Sequence, residues 1–180
     1  MQRSTPDGLR SLTVGARVFY PGHGVVRVVG MEEREFGGGM QVFYVLELEA
    51  DRAAKLMLPV GRVGDAGVRN LVSAAKARAL MKSVGEAVEP EEVKSDPASR
   101  KLRAAGYTEA LRSGSPDRYT DTVRELLVRF RAGKLSTGEQ VTLQQALAMF
   151  VGEVSAALDR PLDEVKAELR EVAELPATGW

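Results

Sequence analysis

His23 is the one histidine of the chain, and there is no cysteine. A multi-histidine zinc site, a thiolate metal site and a cysteine nucleophile are therefore excluded. A serine triad would need His23 as its base, yet no Gly-x-Ser-x-Gly elbow is present. His23 lies in Pro21-Gly22-His23-Gly24. There proline fixes one backbone angle and the glycines permit positive ones, so the residue is expected in an exposed turn. Glu32, Glu33 and Glu35 surround Arg34. Paired carboxylates could do acid–base work, but on a strand running to a glycine tip they read as a solvated, charge-protected edge. Gly37-Gly38-Gly39 is followed by no Gly-Lys-Ser/Thr ending, so it is a hairpin tip rather than a phosphate loop. No convergent acid, base, nucleophile or ligand set remains, and the chain is expected to be neither an enzyme nor a holder of metal or cofactor.

Binding chemistry is better represented. Arg34, near a barrel edge, suits a carboxylate on another protein. Between residues 100 and 134 stand Arg100, Lys101, Arg103, Arg112, Arg118, Arg124, Arg129, Arg131 and Lys134, opposed by Glu109, Asp117, Asp121 and Glu125. Such a run is either a solvated face or a phosphate-contacting patch, whose affinity would fall with salt as counterions are released. Acidic residues dominate thereafter: Glu139, Glu153, Asp159, Asp163, Glu164, Glu168, Glu171 and Glu174.

The elements that position these residues are legible from punctuation. A strand ends at Tyr20, and Val25, Val26, Val28 and Val29 make another. Residues 42–48 return from the glycine tip, and Lys55-Leu56-Met57-Leu58-Pro59 is a short strand stopped by proline. This spacing predicts a small, nearly closed barrel. Beyond Val72 the pattern turns helical. Ser73 caps a short helix containing Leu80 and Met81, and residues 85–94 form an acidic connector. Asp96-Pro97 and Ser115-Pro116 start two helices, an acceptor side chain preceding proline at the first helical position. Ser136-Thr137-Gly138-Glu139 is a capping box. The helix after it carries Leu143, Leu147, Phe150, Val154 and Leu158, and a last helix shows Leu162, Val165, Leu169 and Val172.

The fold class is thus α+β in two domains: an N-terminal Tudor- or SH3-like β barrel and a C-terminal all-α helical bundle. The expected division is a tail at 1–12, the barrel at 13–72, the helical domain at 73–174 and a tail at 175–180. The 180 residues, 44% apolar and 28% charged with zero formal net charge, suit a globular chain whose basic surface is local. No apolar run approaches the roughly 18 residues of a membrane span, and residues 1–8 lack the apolar core of a signal peptide. Leu175-Pro176-Ala177-Thr178-Gly179 matches a sortase signal, but no hydrophobic span follows it, and it reads as coincidence. A cytoplasmic monomer without membrane contact is expected.

In order along the chain, Val18-Phe19-Tyr20-Pro21-Gly22-His23-Gly24-Val25, Phe43-Tyr44-Val45-Leu46, Met57-Leu58-Pro59-Val60, Val63-Gly64 with Gly67-Val68-Arg69, and Leu135-Ser136-Thr137-Gly138-Glu139 resemble the CarD/CdnL bacterial transcription regulators. The resemblance implies a Tudor-like domain docked on the β subunit of RNA polymerase. It also implies a helical domain on promoter DNA, and stabilisation of the open complex with a housekeeping sigma factor. Carried over by position, Arg34, Met57 and Pro59 would bind polymerase, and Arg100, Lys101 and Arg103 would contact DNA. Arg100 stands where the family has a tryptophan that wedges into the minor groove, and Gln140 where it has a lysine. Without that wedge, phosphate contacts would dominate DNA binding. The alternative is a polymerase-bound adaptor whose helical domain binds protein, which zero net charge and the acidic final helices favour.

Overall fold

The computed structural model describes residues 9, 11–49, 53–86 and 96–175. Residues 1–8 and 10 of the expected tail at 1–12, residues 87–94 of the connector, and residues 176–180 of the expected C-terminal tail, with the sortase-like motif after Leu175, lie outside the described residues. The chain divides into two compact units, residues 1–71 and 72–180.

The first unit is an antiparallel meander, β1 Arg17–Tyr20, β2 Gly24–Phe36, β3 Gly39–Leu48 and β4 Lys55–Pro59, in that spatial order. Gly22 (φ +79°) and Gly24 (φ +85°) make the β1–β2 turn, as the sequence requires. A bulge at Val29, between the Val28↔Leu46 and Gly30↔Val45 pairs, resets the alternation of β2. Val18, Val26, Val28, Tyr44, Leu46 and Leu58 point into one core with Val63 and Val68. A 3-10 turn, Val60–Arg62, follows β4. The chain then returns to β1, where Phe19 and Arg69 exchange backbone bonds of 2.8 and 3.0 Å. That bridge carries the sheet toward closure, as expected of a small Tudor-like barrel.

The second unit contains α1 Ala74–Gly85, α2 Pro97–Arg112, α3 Pro116–Arg131, α4 Thr137–Leu158 and α5 Leu162–Val172. Ser73, Asp96, Ser115 and Ser136 each accept a first-turn backbone N–H, and proline opens α2 and α3. α4 is the central helix, packed by the other four. By length and composition it could cross a membrane, but more than half of its apolar window is buried within the unit. It is not an unbroken apolar run, since Gln140, Gln144, Gln145 and Glu153 interrupt it. Leu143, Leu147, Phe150 and Val154 are buried as expected, whereas Leu162 at the start of α5 is exposed. α1 ends against α5 at Gly85, where a Cβ would come within 2.5 Å of Val172 Cγ1, so no side chain fits there.

Candidate interaction surfaces

Cross-strand partners in an antiparallel sheet share a face. The registers Gly30↔Val45↔Met57 and Glu32↔Phe43↔Pro59 put Met57 and Pro59 on the face opposite the core, and Arg34↔Gln41 extends that face along the hairpin. The structure therefore brings Arg34, Met57 and Pro59 to one side of one sheet. Met57 and Pro59 are half-buried and Arg34 is exposed. β4 ends the sheet, so its outer edge has no strand partner within it. The Arg34 guanidinium bonds Glu32 Oε2 twice, at 2.7 and 3.1 Å, so a partner's acid must share or displace Glu32. Beyond the barrel the hairpin exposes apolar side chains that the pattern had not singled out: Met31, Phe36, Met40 and Val42. His23 is exposed in its turn, its ring 4.8 Å from that of Tyr20.

Arg100 and Lys101 are exposed on α2. Leu102 beside them is 75% exposed, a feature periodicity alone does not reveal. The reason is local: α2 buries only Tyr107, Ala110 and Leu111, all in its second half. Arg103 is turned the other way. Its Nε lies 3.7 Å from Glu139 Oε1, and Arg129 Nη2 lies 3.0 Å from the same oxygen. Glu139 also closes the capping box, accepting from Ser136 N at 2.9 Å and from the Ser136 hydroxyl at 2.8 Å. Burial alone would raise this carboxyl, but the Ser136 donors and the Arg129 guanidinium outweigh it and hold Glu139 below its ordinary value. Nearby, burial together with a hydrogen bond to Glu125 pushes the Tyr107 phenol far above the usual tyrosine range.

Two of the acids that follow the basic run are interior. Glu139 is buried in the two-arginine clamp, and Glu153 is fully buried on α4. Glu153 accepts the Tyr119 hydroxyl at 2.5 Å and the Val72 backbone N–H at 2.9 Å. Among the described residues no group of three or more His, Asp or Glu is placed to hold a metal ion.

A barrel with a free strand edge, joined to a capped helical bundle with a basic helix start, defines a two-module protein that binds macromolecules. Residues 12–72 match the family model for the CarD-like/TRCF RID domain, and residues 84–170 that for the CarD C-terminal domain. The chain belongs to the CarD/CdnL family and is an RNA polymerase-interacting transcription factor, built of domains characteristic of non-enzymatic regulators.

Proposed function

We propose that the first unit docks on the β subunit of RNA polymerase through the β4 edge and the face bearing Arg34, Met57 and Pro59. In this reading the helical unit lies on promoter DNA and stabilises the open complex. The observation that carries it is the convergence of those three side chains beside a strand with no outer partner in its sheet. An extended strand of the partner can add to that edge, while the adaptable methionine packs and the arginine pairs with an acid. The test is capture of a polymerase β-subunit fragment by the full chain. Met57→Glu is expected to weaken binding at least about tenfold, or ~1.4 kcal/mol. Arg34→Glu should weaken it less, since Glu32 already holds the guanidinium. Undiminished capture by both variants removes this face from the interface.

On the DNA side, Arg100 and Lys101 reach phosphates and Leu102 is the apolar group at their side, of a size that can enter a minor groove. Affinity should fall steeply with salt and depend little on sequence. Replacing Arg100 and Lys101 together by alanine should lower the log–log salt slope by about 2, close to one per phosphate lost. One observation favours a second reading, a polymerase-bound adaptor. Arg103 and Arg129 are both held by Glu139, which leaves fewer cations for phosphate. Polymerase capture with no DNA shift even at low salt would select the adaptor.

A further inference from the structure

The β3–β4 ladder stops at Phe43↔Pro59, but the β2–β3 ladder continues to Phe36↔Gly39. Over residues 39–42, β3 is paired on one side, and on the other the chain has left the sheet for the Val60–Arg62 turn. The backbone groups facing that side can be identified. Gly37 (φ +65°) and Gly38 (φ +85°) make a two-residue turn of the primed type. Its closing bond joins Phe36 C=O to Gly39 N–H, so Phe36↔Gly39 is a hydrogen-bonded pair. Such pairs alternate with unbonded ones, which makes Met40↔Glu35 and Val42↔Glu33 the unbonded pairs. Met40 and Val42 thus turn their N–H and C=O groups away from β2, toward the side β4 has vacated.

That side is a groove of about 940 Å³ walled by Phe36, Met40, Val42, Tyr20 and Val60, with Pro59 at the end where β4 leaves. Phe36 is 65% and Met40 66% exposed, so its walls have no cover. Glu33 and Glu35 share the sheet face of Val42 and Met40 and are exposed. Glu32 is the one neighbouring acid neutralised by Arg34. Arg62 and Asp65, which also line the groove, offset each other at 3.4 Å, so the unbalanced charge beside it is that of Glu33 and Glu35, and the floor offers two donors and two acceptors in strand spacing.

We propose that this notch is a second strand-addition site, distinct from the outer edge of β4. It takes an extended segment of about four residues, or ~13 Å, with apolar side chains at alternate positions and a lysine or arginine facing Glu33 and Glu35. The segment belongs to the polymerase surface that docks on the first unit, because Met57 and Pro59 of the proposed docking face also line the groove. The identity of the partner rests on the docking reading above. The pairing geometry rests on the register.

Amide hydrogen exchange on the full-length protein, free and with the polymerase β-subunit fragment, separates the two. β4's outward donors are the Met57 and Lys55 N–H groups, since Leu58 and Leu56 pair back to Tyr44 and Leu46. The Met40 and Val42 amides are expected to slow at least about tenfold in the complex, as a new backbone bond requires. Protection at Met57 with Met40 and Val42 unchanged overturns the notch and leaves the docking reading standing. A fragment that fails to bind the wild-type chain overturns both. Val42→Pro removes one outward donor without touching a β2–β3 bond, a position where a strand tolerates proline. It should weaken capture at least about fivefold with an unchanged circular dichroism spectrum. Glu33→Lys with Glu35→Lys should do the same by charge reversal. Wild-type affinity in both variants, like an unchanged exchange rate at Met40 and Val42, overturns the proposal.

Discussion

Glu153→Ala is expected to destabilise the helical unit by about 3 to 5 kcal/mol. The carboxylate is fully buried on the central helix and accepts from two groups far apart in sequence, the Tyr119 hydroxyl and the Val72 backbone N–H. Truncation takes these acceptors from a buried hydroxyl and a part-buried N–H and opens a cavity of four heavy atoms. Each orphaned donor costs roughly 1 to 3 kcal/mol, and the cavity adds to that. Tyr119→Phe removes a single bond and should cost less, about 2 kcal/mol. Combining Tyr119→Phe with Glu153→Ala removes donor and acceptor together, so its cost should fall short of the sum of the two single changes. Guanidinium denaturation followed at 222 nm reports the helices and measures all three. A midpoint for Glu153→Ala that corresponds to a loss under about 1 kcal/mol would show that the two bonds do not hold this unit together. Val72 is the first residue of the unit, so the same bond fixes where the helical structure begins.

That network could not be read from the sequence, whereas most of the scaffold around it could. Caps and turns are written within four residues of each other. Ser136 with Glu139, Asp96 with Pro97, and Pro21-Gly22-His23-Gly24 each specify a backbone geometry locally, and each appears where it was expected. In the sequence Glu153 is one of the acids that follow residue 134, and its partner Tyr119 lies 34 positions away. Only the packing of α3 on α4 shows that the two meet. Arg103 is the same case: it stands in a basic run on α2, but the approach of α4 turns it onto Glu139. The notch beside Met40 and Val42 depends on where β4 parts from β3, a register fact that alternation does not encode. Arg34, Met57 and Pro59 converge for a legible reason, since period-two alternation fixes which face each residue takes once the strands pair.

Glu139 is the second position where one substitution should have a large effect, and its effect should depend on pH. The carboxylate satisfies the first turn of α4 through the capping box and holds Arg103 and Arg129 at 3.7 and 3.0 Å. Glu139→Ala removes the reciprocal cap and strands two guanidinium groups in partly buried positions, for a loss of about 2 to 4 kcal/mol at neutral pH. The sign of the pH dependence follows from the direction of the shift. The folded value lies below the ordinary value of 4.5, so the folded state favours the ionised form. The resulting stability is fully present above the unfolded value and is lost as pH falls through the lower folded value. Glu139→Gln keeps an acceptor for Ser136 but cannot titrate. Its deficit relative to the wild type should be largest near pH 7 and should shrink as acid protonates the wild-type carboxyl. Urea denaturation of both proteins across that range measures the difference. A deficit that stays constant from neutral to acid conditions would mean that shape alone, and not the charge between two arginines, fastens α4 to α2 and α3.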